Sequence, residues 1–137
     1  MINFCNYKNY LTNGTFIEPN ISSDSFKYFN TNQVKGWTFN NGIIVNNSKT
    51  WGYPVPYPCG NQACTIQGTS SISQTFSVPK VGIYSLVVFF VGRNCCDKSG
   101  LGNNLNLMLN GKQVGIIENP SVKNWNTMVI ELNLTLT

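Results

Sequence analysis

The sequence predicts an all-β fold, a two-sheet antiparallel sandwich, on three observations. β-Branched and aromatic residues are abundant while the chain has a single alanine, Ala63, which argues against a helical bundle. Gly and Pro punctuate the whole length at short spacing, as the turns of a sandwich require. Several segments alternate apolar and polar residues with a period of two, the mark of half-buried strands. At 137 residues the chain is expected to form one domain, 1–137, with enough surface to bury a core.

The elements follow in order. A first strand is expected over Gly14–Glu18, then a Ser/Asp/Asn-rich stretch from Asn20 to Gln33 in which Ser23–Phe29 offers at most one helical turn. Val34–Phe39 and Gly42–Val45 read as strands. Between Asn46 and Gly60 lies a long loop with WGYPVPYP at its centre, whose three prolines exclude a central strand. Ala63–Gln67 and Ser71–Val78 are the next strands, and Pro79–Gly82 a turn. Ile83–Val91 is apolar on both faces, which predicts a mid-sheet strand buried on both sides.

A second loop, Arg93–Asn103, carries Cys95, Cys96 and Asp97. Leu105, Leu107 and Leu109 lead into Asn110–Gly111, a strong hairpin signal, with Val114 and Ile116 on the return strand. In the last segment Met128, Ile130, Leu132, Leu134 and Leu136 face one way and Thr127, Glu131, Asn133 and Thr135 the other.

Composition narrows the chemistry. Histidine is absent, which excludes a Ser–His–Asp triad, a Cys–His pair and an imidazole metal site. The eight lysines and Arg93 are scattered, so the net charge of +4 makes no basic stripe and no nucleic-acid partner is expected. The longest apolar run is too short to span a bilayer, and no membrane insertion is expected. Residues 1–10 lack the pattern of a signal peptide. The four N-x-Ser/Thr sequons, at Asn13, Asn20, Asn46 and Asn133, are about what chance supplies among 21 asparagines. With five acidic residues and no pair nominated by spacing, glycoside hydrolysis has no candidate carboxylates, and the chain reads as a non-enzyme.

The order of NGTFIEP (13–19), GWTFNNGIIV (36–45), the Gly60–Ala63 run into TIQG, SISQTF (71–76), GIYSLVVFFVGR (82–93) and NLNLMLNGKQVG (104–115) resembles the galactose-binding-domain-like jelly roll of carbohydrate-binding modules and cell-wall-associated proteins. The resemblance covers almost the whole chain. It implies two packed antiparallel sheets and sugar recognition by loops at one end. It also implies, in many members, a structural calcium near the first strand, and Glu18 stands in the ligand position. The acidic partner from a final strand of the IDN type is not in the sequence, which speaks against calcium and leaves the sandwich without its closing strand.

Two loops therefore become the expected site. Trp51, Tyr53 and Tyr57 could stack on the C–H face of a sugar, or could roof the sandwich edge. Asn40 and Asn41 offer amides that donate to and accept from hydroxyls. Arg93 suits a hydroxyl pair, or a structural pair with Asp97, itself either a ligand acceptor or a turn residue. Trp37 and Cys64 read as core. Among five cysteines, Cys59 is expected to bond to Cys95 or Cys96, or those two to each other.

The functional expectation is a non-catalytic carbohydrate-binding module recognising neutral glycans. The alternative is a structural or assembly subunit of a viral particle or cell surface, forming homo-oligomers through the exposed edge beside Met128–Leu136. Either use favours an extracellular or particle surface over the cytoplasm.

Overall fold

A computed structural model describes residues 3–93 and 104–135. The fold is all-β and antiparallel, of the sandwich class. Among the described residues the one helical element is a 3-10 turn at Phe4–Asn6, and no helix is long and apolar enough to cross a membrane. The chain divides into two compact units, Met1–Pro79 and Lys80–Thr137.

The first unit holds a three-stranded sheet in sequence order: β1 (Ser25–Phe29), β2 (Thr38–Asn46) and β3 (Gln62–Ser73). Central β2 is the enclosed strand of this unit, with Gly42 to Asn46 all buried. Ile44 turns to one face, against Phe29, Val34 and Phe39, with Phe16, Ile21, Trp37, Cys64 and Ile72 packed around them. Ile43 and Val45 turn to the other, where Trp51 and Tyr53 cover them. Simple alternation would put Phe39 with Ile43. It lies instead with Ile44 because the register breaks between Asn40 and Gly42, Asn41 taking up a positive φ of 59°. A Cβ on Gly42 would come within 2.3 Å of the Phe39 ring, so only glycine leaves room for that ring beside the bulge.

The same irregularity joins what the sequence suggests as separate strands. Gly42 pairs with Ile66 but Asn40 with Ser71, so β3 loops out around Gly68 and the Ser70 hydroxyl closes on the Gln67 carbonyl. Val34–Phe39 is not one strand: a tight turn bridges Val34 to Trp37, and β2 starts after it. Gly14–Glu18 is not a strand either. Asn13 and Phe16 both have positive φ, and side-chain amides hold the segment in place of a ladder. Asn13 Nδ2 donates to the Glu18 and Lys35 carbonyls at 2.5 and 3.4 Å, and its Oδ1 accepts from Glu18 N–H at 3.1 Å. The Gln74 amide both accepts from and donates to the Thr12 backbone, at 2.7 and 2.8 Å. Gln62 binds the Phe16 and Pro19 carbonyls and Ile21 N–H, while Asn46 Nδ2 donates to the Ile21 carbonyl.

The second unit contains two antiparallel ribbons, β4 (Gly82–Phe90) with β7 (Asn126–Leu134), and β5 (Leu105–Leu109) with β6 (Lys112–Ile117). The hairpin turn is the expected one, with φ of 49° at Asn110 and 76° at Gly111. Its ribbon faces the other closely. A Cβ on Gly115 would meet Ile130 at 2.6 Å, and Met128 also lies within reach. The register slips between Leu107 and Met108, and this extra residue turns Ile116 outward and Ile117 inward. In β7 the even positions Met128 to Leu134 face in and the odd positions out, as expected; Leu136 lies outside the described residues. β4 departs from expectation. Among the described residues it hydrogen-bonds to β7 alone, and Ile83 on its outer side is 67% exposed, so it is a half-covered strand and not a doubly buried one. Apolar content marks where burial is allowed; enclosure also needs covered flanks on both faces.

Candidate functional site

The long loop after β2 bends back at once. Ser48's carbonyl accepts from the N–H groups of Trp51 and Gly52, at 3.1 and 3.0 Å. The Asp24 carboxylate accepts from Lys49 N–H at 2.8 Å and pairs with Lys49 Nζ at 3.5 Å. The Lys49 backbone N–H, with its ammonium adding a smaller effect, holds the Asp24 carboxyl below its ordinary value. This anchorage tips Trp51 onto Ile43 and Val45.

Trp51 is therefore only 4% exposed and Tyr57 5%. Of the two uses open to these rings, the structure has the roof. Neither presents a face on which a sugar could stack. Tyr53 packs beside Trp51 with ring centroids 6.0 Å apart, and its hydroxyl accepts from that of Thr65 at 3.1 Å. Burial pushes the Tyr57 phenol up to about 12, with the neighbouring Tyr53 adding to the effect and the backbone of Asn47 opposing it.

Two of the expected partners do not gather around this loop. Asn40 and Asn41 are exposed at the bulge, at the far end of β2 from the loop, roughly 16 Å along the strand. Arg93 is half-buried in the second unit, next to Gly92, whose N–H donates to the Ser121 carbonyl at 2.8 Å. Asp97, Cys95 and Cys96 lie outside the described residues.

Cys59 has a different partner from the ones expected. It is bonded to Cys5, with Cα atoms 5.7 Å apart, fixing the N-terminal segment to the loop. The pairing joins residues 54 apart, and nothing local in the sequence points to it. Cys64 is a free thiol packed against the core, as expected, and burial pushes its pKa up to about 12. Trp37 also serves the core, its Nε1 donating to the Asn13 carbonyl at 3.1 Å.

The residues at Glu18 do not suit calcium. Its carboxylate is neutralised by Lys35 Nζ at 2.9 Å, and among the described residues no three His, Cys, Asp or Glu side chains come together.

Two residues that the sequence does not mark as a site stand out in the structure. Phe26 and Tyr28 lie on one face of edge strand β1, 40% and 60% exposed, with ring centroids 6.2 Å apart. Phe26 rests edge-on against Trp51 at 5.8 Å, so the exposed pair continues into the buried rings of Trp51 and Tyr53. The polar composition of 20–33 hid them, although the period-two order of SFKYF could have revealed a strand.

Fold and site thus describe an all-β, antiparallel protein with a row of aromatic rings running from its core to an exposed strand edge. Within that class, the chain belongs to the family described as "Protein of unknown function (DUF642)", whose sequence pattern matches residues 9–134. No curated protein and no solved structure matches it.

Proposed function

We propose that this protein is a non-catalytic carbohydrate-binding module for neutral glycans, and that the Phe26–Tyr28 edge supplies its stacking surface. The observation that carries the reading is the exposed pair of rings backed by a buried one. Tyr28 offers a face to pyranose C–H groups, while contact with Phe26, and through it with Trp51, limits the freedom its ring would lose on binding. The surroundings carry little net charge: Asp24 and Lys49 neutralise each other, and Lys27 folds over the Phe29 ring at 5.4 Å. Such a surface favours uncharged ligands bound weakly, with avidity gained by several copies.

A glycan array followed by titration tests it. Both rings are exposed, so Tyr28→Ala and Phe26→Ala should fold and bind a hit roughly two- to tenfold more weakly. Unchanged affinity in both variants refutes this surface.

A second reading, self-assembly, draws on the outer face of β4 and β7, where Ile83 is 67% and Val129 51% exposed. Sedimentation of the whole chain tests it: a strict monomer at high concentration counts against assembly, and Ile83→Lys should dissolve any oligomer.

A further inference from the structure

The irregular segment 9–18, packed on the opposite face of the β1–β3 sheet from Trp51, borders an open groove of about 330 Å³. That volume is at the lower end of what small-ligand sites span. We infer that this groove binds the adjacent hydroxyls of a pyranose ring, a site separate from the Phe26–Tyr28 edge. The ligand class rests on the glycan reading; the location does not.

Three features support the assignment. The lining combines aliphatic residues, Leu11 and Ile17, with polar ones, Thr12, Thr15 and Asn13, the mixture that a sugar's C–H and O–H groups require. At the rim Glu18 and Lys35 sit 2.9 Å apart, placing a strong acceptor beside a strong donor. Two neighbouring hydroxyls, one giving and one taking a hydrogen bond, match that pair, whereas an anion meets the carboxylate and a cation the ammonium.

The walls are also fixed in advance. The Gln74 amide clamps the Thr12 backbone from both sides, and the Asn13 amide ties Glu18 to Lys35 through their backbones. The Cys5–Cys59 bond closes one margin, since Cys5 is part of the lining. A groove built this way loses little conformational entropy when filled.

The test uses the whole chain, labelled with nitrogen-15, titrated with methyl β-glucoside and methyl β-galactoside. The expected result is saturable shifts at the amides of Thr12, Thr15 and Glu18. Glu18→Ala should weaken that titration roughly tenfold, and Lys35→Met should weaken it by a similar factor. Shifts confined to the neighbourhood of Phe26 and Tyr28 overturn the groove and leave the glycan reading standing. Saturable shifts in the groove that neither Glu18→Ala nor Lys35→Met weakens also overturn the assignment to that pair. No saturable shift anywhere, together with an empty glycan array, overturns both.

Discussion

Removing the Cys5–Cys59 bond tests how the first unit holds together. The bond closes a loop of 54 residues that contains β1, β2 and the amide-held segment. On the chain-entropy estimate, closing a loop of that length costs the unfolded chain about 4 kcal/mol of its freedom, a large part of the ~5–15 kcal/mol that ordinarily separates folded from unfolded. The perturbation is the double variant Cys5→Ser/Cys59→Ser, followed by urea unfolding. With a urea dependence of about 1–3 kcal/mol per molar, the midpoint should fall by roughly 1.3–4 M, and the slope should rise as the denatured chain expands. A dithiol reductant should shift the wild type to the same midpoint and leave the variant where it is, which separates this bond from any chemistry at other cysteines. If the variant unfolds at the wild-type midpoint, or reductant moves both proteins equally, the bond does not hold this unit in the way described.

Two further outcomes follow from the packing. Phe39→Ala deletes a ring that is 1% exposed and should cost about 3–5 kcal/mol. Gly42→Ala forces a methyl group against that same ring, so calorimetry or urea unfolding should find the double substitution less costly than the sum of the two. Tyr57, with its phenol raised to about 12, favours the folded state while it stays protonated. That stability is fully present below the ordinary tyrosine value of about 10 and is lost as pH climbs toward 12; Tyr57→Phe should remove this alkaline limb from a stability-against-pH profile.

The parts of the fold legible in the sequence are those set by neighbours in the chain. The 105–117 hairpin follows from Asn110–Gly111 between alternating leucines, and β7 from five-residue-scale alternation, because turn geometry and the period of two are local properties. What was not legible depends on residues far apart. Trp51 is buried in a loop whose first turn is anchored by Asp24, in the turn just before β1. The face on which Phe39 lies depends on a one-residue bulge that no periodicity announces. Cys59 found Cys5 through a fold that only then brings them together. The aromatic loop is conspicuous in the sequence, but only packing decides that Trp51 and Tyr57 point inward and that Phe26 meets Trp51 from β1.

The side-chain amides that hold residues 12–21 have a consequence for the conditions under which the protein keeps its shape. Asn13, Gln62, Gln74 and Asn46 carry no proton that titrates and no charge that dissolved ions can screen. A segment fastened by ion pairs alone would loosen in brine or in acid; here the Glu18–Lys35 pair is salt-dependent, but the amide hydrogen bonds beside it are not. The amide resonances of Thr12 and Ile21 should therefore stay in place from low to molar salt and as the solution is acidified, while that of Lys49, held by Asp24, moves only below the ordinary aspartate range, where that carboxylate at last takes up a proton.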